Sequence, residues 1–144
     1  MGQTIGTHVI KTTRGKKARI LALYGELGSG KTTFVQGLAK AFGIPRRIVS
    51  PTFILIRRYS LSIKNFLWFY HIDLYRLTKE TDMEDVGILE IFQDPNAIIA
   101  VEWAERLGTM LPKNRIDIFF YANVHDTRHI KIVNLHNGFD LAIH

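Results

Sequence analysis

The sequence predicts an α/β protein, on three observations. Apolar stretches of strand length recur at Ala18 to Tyr24, Phe66 to Ile72 and Ala97 to Val101. Segments of helical character lie between them, notably after Lys31. Each of the three strands runs out into a residue suited to a ligand: Gly25, Asp73 and Glu102. In open α/β sheets, ligands sit beyond the carboxyl ends of the strands. The 144 residues fit one domain, 1–144, with no internal repeat, low-complexity segment or linker.

Taken in order, Thr7 to Thr13 favours a strand by propensity, because β-branched residues suit a pleated surface. Arg14-Gly15-Lys16-Lys17 reads as a turn. Ala18 to Tyr24 is apolar on both faces and is expected at the centre of a sheet. Thr32 to Phe42 is a helix, ended by Gly43 and Pro45: glycine suits the C-cap and proline cannot continue the helix. Ser50-Pro51-Thr52 is a loop, and Phe53 to Leu61 a strand with Arg57 and Arg58 exposed. Ser62 to Asn65 reads as a hairpin turn into the aromatic strand Phe66 to Ile72. Thr81 to Glu84 can open a helix whose buried face would hold Val86, Leu89, Ile91 and Phe92. After the turn Asp94-Pro95-Asn96, Ala97 to Val101 is a strand ending in Glu102-Trp103, and Ala104 to Leu107 a helical turn. Ile116 to Tyr121 and Arg128 to Leu135 alternate as a closing hairpin.

Composition removes several function classes. There is no cysteine, so disulfides, thiolate metal sites and thiol catalysis are excluded. No apolar run approaches the roughly 20 residues a membrane helix needs, and the N-terminus is not a signal peptide, so a cytoplasmic protein is expected. The formal charge is +6, with basic pairs at Lys16-Lys17, Arg46-Arg47 and Arg57-Arg58. Short pairs of this kind are ordinarily solvated surface. The sharper reading makes Arg46, Arg47, Arg57 and Arg58 a docking surface for RNA or an acidic partner, although the sequence has no aromatic RNA platform.

The most specific signal is GELGSGKTT. Gly25-x-x-x-x-Gly30-Lys31-Thr32 matches the phosphate-loop pattern in full, between a strand and a helix. Backbone N–H groups of such a loop turn inward on phosphate oxygens, and the helix behind it adds partial positive charge. Glu26, Leu27, Gly28, Ser29, Gly30, Lys31, Thr32 and Thr33 therefore form the candidate nucleotide cradle. Lys31 would neutralise the β and γ oxygens, and the Thr32 hydroxyl would ligate Mg²⁺. The loop needs an acid at the end of a neighbouring strand, for which Asp73 and Glu102 are both candidates as metal ligand or water-polarising group. Guanine-specific loops use Asn-Lys-x-Asp, which is missing here, so ATP is favoured over GTP.

Weaker candidates surround this core. Arg128 could stack on a base, against its simpler reading as an exposed strand arginine. Thr52 could act as a switch reading the γ-phosphate or metal, against a plain turn. His71 is either a site residue or a core histidine. His125-x-x-x-His129 has metal-like spacing but lacks a third ligand. Phe66, Trp68, Phe69 and Tyr70 read as core and sheet face.

Four strings then stand in order: GELGSGKTTF from Gly25, SPTF from Ser50, HIDLYRL from His71 and VEWAERL from Val101. Together they resemble the TsaE (YjeE) family of bacterial ATPases in tRNA threonylcarbamoyladenosine formation, across residues 18 to 135. The resemblance implies a compact three-layer P-loop NTPase fold with a mixed central sheet, holding ATP and Mg²⁺. It implies Thr32 and Glu102 at the metal, Lys31 on the phosphates, Asp73 near the water or metal, Thr52 in a switch-like loop and Trp103 beside the site. It implies the TsaB–TsaD complex as partner, with tRNA contacted weakly or through that complex. It also implies an N-terminal segment shorter than usual in the family, and a helix over residues 5 to 13 in place of the strand that propensity favours. Two other readings use the same loop: a small-molecule or nucleoside kinase, and a non-catalytic nucleotide switch. The kinase would need an arginine-rich lid, which the sequence does not supply.

Overall fold

The computed structural model describes residues 1–11, 15–45, 48, 56–77, 87–122, 125 and 127–133. Among them, six strands form one mixed sheet: β1 (Arg19–Tyr24), β2 (Ile56–Ile63), β3 (Phe66–Asp73), β4 (Ala97–Glu102), β5 (Ile116–Ala122) and β6 (Arg128–Val133). Their spatial order is β2-β3-β4-β1-β5-β6. β1 lies at the centre, parallel to β4 and β5, and β3 is parallel to β4. β2 and β6 close the edges as antiparallel hairpin partners of β3 and β5. The four parallel strands thus share one carboxyl edge, as the sequence required of Gly25, Asp73 and Glu102.

Alternation along β1 divides the core in two. Leu21 and Leu23 face helices α1 (Gly2–Lys11) and α2 (Lys31–Ala41), with Ile5, Val9, Phe34, Val35, Leu38, Phe69 and Phe120. Ile20 and Ala22 face the opposite layer, where α3 (Ile88–Phe92) and a 3₁₀ segment (Ala104–Met110) pack with Ile72, Ile99 and Val101. Helix, sheet and helix make the three layers expected. Every residue of β4 is buried, which explains why its sequence runs apolar without alternation.

α2 ends as the sequence suggests. The Gly43 N–H donates to Lys40 O at 3.1 Å and the Ile44 N–H to Ala39 O at 3.0 Å, with Gly43 at φ 72. This pair of bonds is the Schellman closure, and the left-handed residue at its centre favours glycine.

Three local readings change. The strand favoured by propensity over Thr7 to Thr13 is instead the end of helix α1, in line with the family resemblance; residues 12 and 13 lie outside the described set. The buried positions Gly2, Ile5, Gly6 and Val9 follow helical spacing. Gly2 lets α1 approach α2 at Phe34 and Gly37, and Gly6 at Leu38 and Ala41; a Cβ on Gly37 would lie 2.8 Å from Gln3 N and 3.0 Å from Gly2 Cα. Packing overrides the β-branched propensity here. In α3, Leu89 is 40% exposed, while Ile88 and Phe92, one turn apart, are buried. The expected opening of that helix at Thr81 to Glu84, and Val86, lie outside the described residues. The β2–β3 turn narrows to Lys64 and Asn65, with Ile63 already paired to Phe66.

Candidate functional site

The sheet register assembles the site. β1 and β4 pair Leu23 with Glu102, and β3 and β4 pair Asp73 with Glu102. Glu102 therefore stands between the loop leaving β1 and the acid ending β3. Both acids are buried, at 7% exposure for Asp73 and 3% for Glu102. A charge taken from water is retained only where partners compensate it, and the partners define the site.

Thr32, in the first turn of α2, donates its hydroxyl to Glu102 Oε1 at 3.3 Å. The other oxygen, Oε2, lies 2.5 Å from His71 Nε2. Asp73 Oδ1 accepts the Tyr75 N–H at 3.0 Å, a tight turn that fixes the carboxylate at the strand end. Asp73, Glu102, Lys31 and Thr32 line a cavity of about 330 Å³ together with Gly28 and Trp103.

The Lys31 ammonium donates to the carbonyl oxygens of Gly25 and, at 2.9 Å, Glu26, and lies 3.5 Å from Ser29 Oγ. Its own loop thus supplies the acceptors of the ammonium. Burial pushes its pKa below the ordinary lysine value, opposed by Glu102, Glu105, Asp73 and Glu26. A cation raised in energy by burial gains from an incoming anion. At the N-terminus of α2, Gly30 makes no side-chain cap, which leaves the first-turn N–H groups for an acceptor from outside the helix. Gly30 has φ 104, and a Cβ there would lie 3.1 Å from Arg128 Nη1. The loop thus favours glycine at this point for its conformation, since the exposed Arg128 tip can move aside.

Arg128 is exposed and stands between two cavities. It lines the cavity beside Lys31 and a second of about 450 Å³, bounded by Gly2, Gln3, Thr33, Gln36 and Lys40. Leu27, Ser29 and Thr33 also line the cavity beside Lys31, while the Glu26 carbonyl accepts from the Lys31 ammonium. Thr52, Arg46 and Arg47 lie outside the described residues. Arg57 and Arg58 are exposed, and Arg58 covers the Trp68 ring at 4.1 Å. Among the described residues, no group of three His, Asp or Glu side chains gathers as a metal site, so the His125–His129 spacing gains no third ligand.

Sequence reasoning left Tyr75 and Arg106 without a role. Arg106 Nη1 shares its two N–H bonds among the carbonyls of Leu74 (3.3 Å), Tyr75 and Leu77 (2.8 Å), pinning the chain just after Asp73. Its guanidinium lies 5.3 Å from the Trp103 ring centre, and Tyr75 lies 5.2 Å from the same ring. The HIDLYRL and VEWAERL strings contained both residues, but only the parallel register shows that the two strings meet. His71 belongs to both of its expected classes: it is fully buried and bonded to a site acid.

The donors fit Mg²⁺ with a nucleotide. Magnesium takes oxygen ligands, keeps several waters, and is held by one or two carboxylates plus phosphates. Thr32 Oγ1 and Glu102 Oε1 are such oxygens, adjacent and beside an anion-seeking loop.

The chain is similar to known proteins over most of its length. The family profile described as "Threonylcarbamoyl adenosine biosynthesis protein TsaE" matches residues 2–130. A protein of Bacillus subtilis named "tRNA threonylcarbamoyladenosine biosynthesis protein TsaE" is 36% identical over 126 residues, covering 88% of this chain and 76% of that protein. One of the same name from Borreliella burgdorferi is 44% identical over 98 residues, covering 68% of this chain and 69% of its own. Among solved structures, "Crystal structure of Bacillus subtilus YdiB" superposes with a TM-score of 0.67 at 29% identity, covering 90% of this chain and 75% of that one. The profile covers most of the chain and the fold agrees with the solved structure: the chain belongs to the TsaE family.

Proposed function

We propose that this chain is a cytoplasmic Mg²⁺-dependent ATPase that serves tRNA threonylcarbamoyladenosine formation together with the TsaB–TsaD complex. Membership of a family named for that biosynthesis supports the pathway. The observation that carries the ATPase chemistry is the juxtaposition of a full phosphate loop with Thr32 and Glu102 at 3.3 Å. No helix among the described residues is long and apolar enough to cross a membrane.

Each residue then has a task. The N–H groups of Gly28 to Thr33 receive phosphate oxygens, and Lys31 exchanges its carbonyl partners for them. Thr32 and Glu102 would hold Mg²⁺, with Asp73 supporting the metal or a water on the same wall. Bound there, Mg²⁺ would neutralise charge on the β and γ phosphates. The acids orient water for attack, since phosphoryl transfer depends chiefly on positioning and electrostatics. Arg128 and the larger cavity beside α1 would take the nucleoside. Tyr75 and Trp103 screen the phosphate side from solvent.

The deciding experiment measures ATP hydrolysis by the purified chain, with and without Mg²⁺ and with and without TsaB–TsaD. Slow turnover alone, raised by the partners and dependent on Mg²⁺, is the expected result. Nucleotide binding with no rise in hydrolysis would replace this reading with that of a binding switch.

A further inference from the structure

We propose that His71 is a positioning residue for Glu102, turning one carboxylate oxygen away from the site so that the other is presented beside Thr32. The inference rests on the reading of Glu102 as a metal-facing acid. His71 sits on β3, two residues before Asp73, with its ring fully buried. Its Nε2 lies 2.5 Å from Glu102 Oε2, while Oε1 of the same carboxylate accepts from Thr32 at 3.3 Å. The two oxygens thus have different partners on opposite sides, which fixes the carboxylate plane. The pairing is built into the sheet: β3 and β4 lie side by side in parallel register, with His71 against Ala100 and Asp73 against Glu102.

The carboxylate gives the direction of the hydrogen bond. An ionised carboxylate only accepts, so the ring nitrogen that faces it is the one that donates. The arrangement is therefore Nε2–H donating to Glu102 Oε2. Nδ1 is buried and makes no hydrogen bond to any described residue. A lone buried imidazole with one unmet nitrogen is a poor choice for filling a core, where Leu or Phe would pack without cost. What the histidine adds over an apolar residue is the bond to Glu102. Outer partners of metal-facing carboxylates typically change metal affinity or activity about 10–100-fold when removed.

The test compares His71→Gln with His71→Phe in the full chain. Glutamine places an amide nitrogen close to the Nε2 position and can donate to Glu102; phenylalanine fills the ring's volume and donates nothing. The primary readout is binding of a fluorescent ATP analogue as a function of Mg²⁺ concentration, with thermal unfolding to confirm that both variants fold. The expected result is a Mg²⁺ requirement raised about 10–100-fold in His71→Phe, largely restored in His71→Gln, with Mg²⁺-free binding unchanged in both. Equal Mg²⁺ requirements in all three proteins would overturn the proposal, as would an equal loss in both folded variants. A second readout is independent of metal: long-range ¹H–¹⁵N spectra of the His71 ring without nucleotide. A proton on Nε2, with that resonance displaced in Glu102→Ala, is expected; a proton on Nδ1 alone, or no response to Glu102→Ala, overturns it. If the unaltered chain binds nucleotide without any Mg²⁺ dependence, the metal reading of the site fails, and the ring spectrum then decides the role of His71 by itself.

Discussion

The Lys31 ammonium lies 4.4 Å from the centre of the Trp103 ring while donating to the carbonyls of its own loop. Trp103 reaches this place with φ 59, in the left-handed region unusual for a large residue. A cation drawn toward phosphate would change its position over the ring and so change the indole's surroundings. The chain has two tryptophans, so Trp68→Phe isolates the signal of Trp103. In that variant, ATP should change the tryptophan emission, and adding Lys31→Ala should remove the change. A steady emission through nucleotide saturation would show that Lys31 and Trp103 do not respond to phosphate together.

Lys31 and Glu102 should fail differently. Lys31→Ala removes the charge that the loop offers to phosphate and should abolish nucleotide binding or weaken it severely. Glu102→Ala removes an oxygen beside Thr32 but leaves the loop N–H groups in place. It should depress Mg²⁺-dependent hydrolysis by about 10²–10³-fold while altering nucleotide affinity much less. Titration calorimetry beside a phosphate-release assay separates the two. Normal hydrolysis by Glu102→Ala would remove it from the metal.

The central strands were readable in the sequence because Ala18 to Tyr24, Phe66 to Ile72 and Ala97 to Val101 are apolar runs of strand length that lead into Gly25, Asp73 and Glu102. These local signals survive any packing. The loop was readable because its chemistry depends on contiguous residues. What was not readable depends on register or on packing between distant segments. His71 gives no sign in the sequence that its ring meets a carboxylate 31 residues away. Arg106 looks like any surface arginine until β3 and β4 are placed side by side. Helix α1 was misread by propensity because its β-branched residues outweighed the spacing of Gly2, Ile5, Gly6 and Val9, whose meaning depends on α2.

That helix contact yields a prediction whose sign is opposite to propensity. Gly37 lies inside α2, where alanine ordinarily stabilises a helix by about 1 kcal/mol over glycine. A Cβ on Gly37 would lie 2.8 Å from Gln3 N and 3.0 Å from Gly2 Cα, against backbone that cannot move as a side-chain tip does. Separating the helices costs about 1–3 kcal/mol of overpacking. Gly37→Ala should therefore lower the urea midpoint. A raised midpoint would mean that α1 is not docked this closely.

Tyr24 provides the pH prediction. Its hydroxyl donates to Asp117 Oδ1 at 2.7 Å, and the same oxygen accepts from Arg115 Nε at 2.7 Å. Burial first, then the bond and charge of Asp117, push the Tyr24 pKa up to about 12 from the ordinary tyrosine value of 10.0. A raised folded value means that the protonated phenol is favoured by folding, so its contribution is complete below pH 10 and is lost as pH rises through 12. The tyrosine is half-buried, so solvent screening reduces the contribution to about 1 kcal/mol. Tyr24→Phe should be less stable than the parent chain at pH 8, with the difference shrinking as pH rises through this window. Urea midpoints at intervals from pH 8 to the alkaline limit of folding measure it. A difference that stays constant with pH would mean that the phenol does not hold its proton for Asp117.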